Sequence, residues 1–89
     1  MVKELIFRAD FFREDGVYLG ICPELNVSSF GEDMDDARRS LREAVIAFVE
    51  ECDEMGTLEE ILEEAGFTGK EDVWFSREPV AEERLAVSR

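Results

Sequence analysis

The feature that most constrains the fold is a run of apolar residues at helical spacing between positions 34 and 55. Apolar side chains recur there every third or fourth residue, which places them on one face of a long helix. Asp33 precedes the run as an N-cap, Asp36 can accept from free amides of the first turn, and Gly56 suits a left-handed C-cap. We predict one long amphipathic helix whose apolar face contains Met34, Ala37, Leu41, Ala44, Val45, Phe48, Val49, Cys52 and Met55.

A second, shorter helix is predicted directly after Gly56. Thr57 and Glu60 have the spacing of a capping box, in which each side chain satisfies a free backbone amide. A shorter apolar stripe follows and stops at Gly66. Its members are Leu58, Ile61, Leu62 and Ala65.

Three strands are predicted before the helices. Alternating residues over positions 2–12 predict a first strand with Leu5, Phe7, Ala9 and Phe11 on one face. Asp15-Gly16 is a strong hairpin signal, so residues 17–22 form the second strand, in which Gly20 indicates a bulge or a close approach. Pro23 and Glu24 turn the chain, and residues 25–30 form a short third strand.

The segment after Gly66 has a weaker pattern. We predict a loop over residues 67–79 that packs its aromatic side chains over the core, with a short strand as the alternative, and a closing strand over residues 80–87. These elements give a single α+β domain, residues 1–89, in which a helix pair packs on one face of the sheet.

The charge balance limits the partners of the chain. It has 23 acidic and 10 basic residues, a formal net charge of −13, so we expect it to repel nucleic acids and anionic membranes and to favour a basic protein partner. Eight carboxylates and no Lys or Arg lie between Glu50 and Glu64, either as a solvated helix face or as a docking surface. With neither a leader sequence nor an apolar run of membrane-spanning length, we expect a soluble cytoplasmic protein.

The absence of histidine removes most catalytic machinery. No Ser-His or Cys-His pair and no His-ligated zinc is possible, and no phosphate-binding loop is present, so we expect no cofactor, no metal and no enzyme activity. Cys22 and Cys52 are expected to be reduced core residues. Asp10 and Glu83 are the carboxylates that a sheet could bring together for magnesium, although solvent-facing strand positions explain them more simply.

The order of several short motifs resembles the HicB family of antitoxins. These motifs are a hairpin that ends in Pro23-Glu24-Leu25, a short strand that closes in Gly31-Glu32, and a helix that opens with two acidic residues before Ala37. The resemblance covers roughly residues 2–51. It implies a partial RNase H-like βββαβ fold that forms a homodimer or higher homo-oligomer, without the full carboxylate set of the nuclease.

The resemblance also implies a function. Members of the family bind and mask a small basic toxin, HicA, that cuts messenger RNA, and complementary charge suits such a pair. No DNA-binding extension follows residue 89, so we expect no nucleic-acid binding by this chain alone. By analogy, the partner contacts are expected at Tyr18, Pro23, Glu24, Leu25, Glu50, Glu51, Asp53 and Glu54.

Two other functions remain open. One is a homo-oligomeric HicB-like scaffold without a toxin partner. The other is a remnant metal-dependent nuclease that uses Asp10 and Glu83. The second face of the sheet, predicted to carry Ile6, Phe12 and Tyr18, is either a dimer surface or a partner surface.

Overall fold

A computed structural model describes residues 1–89 and has an α+β architecture. Six strands form two three-stranded sheets, with the orders β1-β6-β5 and β2-β3-β4. The long helix α1 packs against β3 and β4, and the short helix α2 packs against α1. The elements are β1 Glu4–Ile6, β2 Asp10–Glu14, β3 Val17–Cys22, β4 Val27–Gly31, α1 Met34–Met55, α2 Leu58–Glu64, β5 Thr68–Lys70 and β6 Val73–Phe75.

The predicted hairpin is confirmed, and it fixes the register of the second sheet. Asp15 and Gly16 both have positive φ, 47° and 83°, so a two-residue turn joins β2 to β3 and places Glu14 opposite Val17. β4 then pairs antiparallel with β3 and begins two residues later than predicted.

Gly20 marks a close approach by a side chain. A Cβ atom at this position would lie 2.8 Å from Cε1 of Phe11 and 3.3 Å from Cδ2 of Leu41. The missing side chain therefore lets Phe11 and the helix α1 pack onto the middle of β3.

The single strand predicted over residues 2–12 is two strands. β1 pairs parallel with β6, whereas β2 pairs antiparallel with β3, and residues 7–9 between them carry no strand pairing. The chain changes its hydrogen-bonding partner here, which a pattern of side-chain alternation cannot reveal. The alternation itself holds, since Leu5, Phe7, Ala9 and Phe11 all pack against the core.

The closing strand lies earlier than predicted. Val73–Phe75 pairs with β1, and the predicted strand over residues 80–87 is wrong. β6 occupies the free edge of β1. The later segment follows Pro79, which has no backbone N–H to donate, and the middle of that segment is charged. Val80, Leu85 and Val87 are accordingly at least 87% exposed. We call residues 77–89 the tail.

The loop predicted over residues 67–79 contains the β5-β6 hairpin, which corresponds to the short-strand alternative. Its turn residues Glu71 and Asp72 have φ of 51° and 71°, and Trp74 packs over Gly69, where a Cβ atom would collide with the indole. Trp74 is buried, as predicted for an aromatic side chain that covers the core.

The caps of α1 are confirmed. Oδ1 of Asp33 accepts from the amide of Asp36 at 2.8 Å, and Oδ2 of Asp36 accepts from the amide of Glu32 at 2.9 Å. Gly56 is left-handed with φ of 73°, and the amide of Thr57 donates to the carbonyl of Cys52 at 3.0 Å, which closes the helix.

The predicted capping box of α2 is wrong, although the helix is present. The hydroxyl of Thr57 donates backwards to the carbonyl of Cys52 at 3.4 Å and caps nothing in α2. The end of α1 already binds this side chain because only two residues, Gly56 and Thr57, separate the two helices. Met55, predicted on the apolar face, is 68% exposed because it lies in the last turn of α1.

One apolar core joins the two sheets to the helices. Its nine buried residues are Cys22, Leu25, Leu41, Val45, Cys52, Leu58, Leu62, Phe67 and Trp74. Both cysteines are free and buried, so their prediction as core residues is confirmed. Neither helix has the length and apolar composition that crossing a membrane requires.

Candidate partner-binding surface

Three large apolar side chains form a row across the outer face of the β2-β3-β4 sheet. Phe12 lies opposite Leu19, and Leu19 lies opposite Phe30, so the three are neighbours on adjacent strands. Phe12 is 49% exposed and Phe30 is 57% exposed, with Leu19 half-buried between them. The helix α1 packs on the opposite face, on the side of Gly20. We call Phe12, Leu19 and Phe30 the outer row.

Two acidic residues on the strands flank the outer row, Asp10 on one side and Glu14 on the other, and Arg8 donates to Asp10. Pairing places Asp10, Ile21 and Ser28 beside the row on one side, and Glu14 and Val17 beside it on the other. No Lys or Arg occupies an outward position on these three strands. An apolar centre with an acidic rim is therefore present on a face that no helix covers.

A second exposed apolar area lies on the first sheet. Ile6 on β1 pairs with Phe75 on β6, and they are 53% and 39% exposed. Because the intervening residues Phe7, Ala9 and Phe11 all face the core, Ile6 lies on the same side of the chain as Phe12.

A charged cluster around Arg8 separates the two apolar areas. The guanidinium donates from Nη1 to both oxygens of Asp10, at 3.2 and 3.3 Å, and from Nη2 to Oε2 of Glu24 at 3.3 Å. Oε1 of Glu82, in the tail, lies 3.7 Å from Nη1. The Glu24 carboxylate is the main reason that the pKa of Arg8 is raised, with Asp10 and Glu82 adding to it and burial opposing it.

Glu24 is the most buried carboxylate of this cluster. Its side chain is only 8% exposed, and its second oxygen, Oε1, is buried without a hydrogen-bond partner. Glu24 lines an open cleft of about 340 Å³ between the sheet and the tail. The other lining residues are Arg8, Arg77, Glu78, Pro79 and Glu82.

Tyr18 does not lie on the outer face. It pairs with Arg13 across the hairpin, on the same side of β3 as Gly20 and Cys22, and is half-buried there. The guanidinium carbon of Arg13 lies 6.0 Å from the centre of its ring. The prediction that groups Tyr18 with Ile6 and Phe12 is therefore wrong for Tyr18, because the register puts Leu19 opposite Phe12.

The predicted contact residues of the β3-β4 turn differ in their accessibility. Pro23 is exposed, and its carbonyl accepts from the amide of Asn26 at 3.2 Å, which closes the turn. Leu25 is 8% exposed within the core and offers little surface to a partner. Glu24 faces Arg8, as described above.

The acidic end of α1 is fully available to solvent. Glu50, Glu51, Asp53 and Glu54 are all exposed, and none of them forms an ion pair. The last turn of α1 has no basic residue, so these charges repel one another and lie at the negative end of the helix dipole. Helix stability does not explain their position. No hydrogen bond or ion pair links them to the β3-β4 turn.

Asp10 and Glu83, the carboxylates considered for a magnesium site, are not brought together as a ligand set. Asp10 accepts from Arg8, and it is Glu82 that reaches this cluster, whereas Glu83 is exposed on the tail. No group of three or more Asp, Glu, Cys or His side chains could hold a metal ion.

Sequence reasoning placed Phe12 on a possible partner surface but missed Leu19, Phe30 and Arg8 as site residues. The signal for the row was present, because a two-residue Asp15-Gly16 turn already implies that Phe12 faces Leu19. Comparison with protein-family models, curated proteins and solved structures finds no match to the chain.

Proposed function

We propose that the chain is a non-enzymatic binding domain that docks and masks a small basic RNA-cleaving protein of the HicA type. The observation that carries the proposal is the outer row with its acidic rim. Exposed aromatic side chains in the centre of a charged patch are typical anchors of protein interfaces. The HicB-like order of motifs supports the same proposal and, with it, a partial RNase H-like relationship for the α+β fold.

The charge of the chain favours a basic partner over a second copy. Two copies meeting through the outer face would bring together two Glu14 carboxylates and two Asp10 carboxylates that Arg8 only partly neutralises, in molecules that each carry a net charge of −13. A basic partner would instead neutralise the rim and would also be attracted by the uncompensated end of α1. A homo-oligomeric scaffold is the alternative that self-association through the outer row would support.

The test first searches the gene neighbourhood of this chain for a short reading frame that encodes a small basic protein, which is then purified and assayed for cleavage of messenger RNA. We expect the full chain to bind it and to stop cleavage. Phe12→Asp should weaken binding by about tenfold or more, because an anchor in the centre of the surface is replaced by a further negative charge. Ile46→Asp is the matched control, since Ile46 is also 49% exposed but lies on α1.

Three results would count against the proposal. Equal loss of binding in the two variants would show that the outer row is not the interface. A neighbouring basic protein that neither binds nor is masked would remove the toxin as partner. The homo-oligomeric scaffold would be favoured if light scattering shows that the chain is an oligomer that Phe12→Asp dissociates and Ile46→Asp does not.

A further inference from the structure

One buried acceptor atom of the residues that line the cleft between the sheet and the tail, Oε1 of Glu24, has no hydrogen-bond donor. Oε2 of Glu24 accepts from Arg8, but Oε1 has no partner, although the side chain is 92% buried. A buried acceptor without a hydrogen bond costs about 1–3 kcal/mol in general, and a donor that reaches it recovers this energy. The position of Oε1 therefore selects a ligand that donates hydrogen bonds.

The charges of the cleft favour a cationic donor. Arg8 and Arg77 contribute two positive charges, whereas Asp10, Glu24, Glu78 and Glu82 contribute four negative charges in and around the cleft. Asp10, Glu24 and Glu82 already surround Arg8, so Arg8 has little capacity left to hold an anion. An anionic ligand would also lie against the unpartnered Oε1.

We propose that this cleft is a receptor for one arginine side chain of the basic partner, whose guanidinium donates to Oε1 of Glu24. A planar guanidinium offers several donors in a fixed fork, so it can reach Oε1 and a second carboxylate, Glu78 or Glu82, together. Glu82 belongs to the tail, which forms one wall of the cleft. Because Oε1 is buried, the proposal requires the tail to move aside for the guanidinium to reach it. Asp10 connects the cleft with the outer row, since it accepts from Arg8, which lines the cleft, and flanks Phe12 on β2.

This assignment rests on the proposed function for its natural occupant, but the site itself can be tested without the partner. The probe is N-acetyl-arginine N-methylamide, titrated into the full chain and followed by the ¹³C shifts of the side-chain carboxyl groups. N-acetyl-citrulline N-methylamide is the neutral isostere, and N-acetyl-lysine N-methylamide tests an ammonium group. We expect a saturable shift at Glu24 with the arginine probe and about tenfold weaker binding of the citrulline probe.

Two variants with the same charge change locate the site. Glu24→Gln should abolish the saturable shift, whereas Glu83→Gln, on the exposed tail, should leave it unchanged. Glu82→Gln keeps Glu24 intact but removes one possible second acceptor, so it should weaken the saturable shift less than Glu24→Gln does, and this keeps the test valid even if Glu24→Gln perturbs the β3-β4 turn. A response equal for arginine and citrulline, or spread evenly over Glu50 to Glu54, would overturn the proposal, as would no saturable response at all.

The outcomes separate this inference from the proposed function. If the basic partner binds through the outer row but the probe does not shift Glu24, the arginine receptor is wrong and the proposed function stands. If the probe binds at Glu24 but the basic protein does not bind the chain, the receptor stands and the partner is of another kind.

Discussion

Cys22 is a buried core residue whose thiol makes the stability of the fold depend on pH. Its side chain is fully buried, and burial is the main reason that the pKa of its thiol is raised above the ordinary value of 9.0. The carboxylate of Glu24 raises the pKa further, whereas the backbone amides of Leu25 and Glu24 and the charge of Arg8 lower it. The neutral thiol is thus the form that the folded chain retains.

We predict that the stability of the chain falls as the pH rises above about 9, where the unfolded thiol loses its proton and the folded one keeps it. The stabilisation is fully present below the unfolded pKa and is lost as the pH rises through the folded pKa. Urea midpoints at about pH 8 and about pH 10 measure this fall. Cys22→Ala removes the titrating group and should show a smaller fall, so equal falls in the two proteins would contradict the prediction.

Sequence reasoning succeeds at residues whose role is local. Asp33, Gly56 and the Asp15-Gly16 pair act through their own backbone geometry, which the residue types nearly dictate. It fails for the sheet face on which Tyr18 lies and for the burial of Leu25, because both depend on which strand lies opposite and on how α1 packs. The candidate site consists mostly of residues of this second kind.

At the scale of elements, the N-terminus of α1 has a side-chain cap, whereas that of α2 has none. The carboxylate of Asp33 binds the amide of Asp36, whereas the hydroxyl of Thr57 points back to α1 and α2 has no side-chain cap. The two positions look equivalent in the sequence, but they are not equivalent in energy.

We therefore predict different costs for two alanine substitutions at these helix starts. Asp33→Ala should lower the free energy of unfolding by about 1 kcal/mol, within a range of about 0.5–2 kcal/mol, and Thr57→Ala by less than about 0.5 kcal/mol. Chemical denaturation measures both. Asp33→Asn keeps a capping oxygen without the charge and should cost little; equal costs for Asp33→Ala and Thr57→Ala would show that the cap assignment is wrong.

The elements themselves were foreseeable to different degrees. Both helices and β3 follow from periodicity and turn residues. Two features could not be predicted: the change of pairing partner between β1 and β2, and the choice of β6 as the closing strand. Both depend on which distant segment pairs with the edge of β1. Segment 73–75 pairs with β1 and segment 80–87 does not, since the apolar side chains of the first are contiguous whereas Glu82, Glu83 and Arg84 interrupt those of the second.

At the scale of the whole molecule, uncompensated negative charge is the dominant feature. Three of the eight ion pairs involve Arg8, two lie at the start of α1, and three join Met1 and Lys3 to Glu59 and Asp72. The second half of α1 therefore has no ion pair, and α2 has only the one at Glu59. Repulsion of this kind opposes the compact state and is weakened by salt.

We predict that sodium chloride raises the melting temperature by a few degrees between about 0.01 M and about 0.3 M, where the screening length falls well below the width of the domain. About 1 kcal/mol corresponds to roughly 4–8 °C for a domain of this size. Differential scanning calorimetry is the measurement. Neutralising Glu50, Glu51, Asp53 and Glu54 to their amides should reduce the salt response, and a melting temperature that falls with salt would mean that attractive ion pairs dominate.

The parallel pairing of β1 with β6 has a consequence for the order of folding. It joins Glu4 to Val73 across nearly the whole chain, whereas β2, β3, β4 and α1 are consecutive and meet through short connections. Closing a long loop costs more chain entropy than closing a short one, so contacts of low sequence separation form first. During synthesis, the middle of the domain can therefore assemble while β1 waits for β6 to leave the ribosome. The part of the outer face formed by Ile6 and Phe75 is completed last.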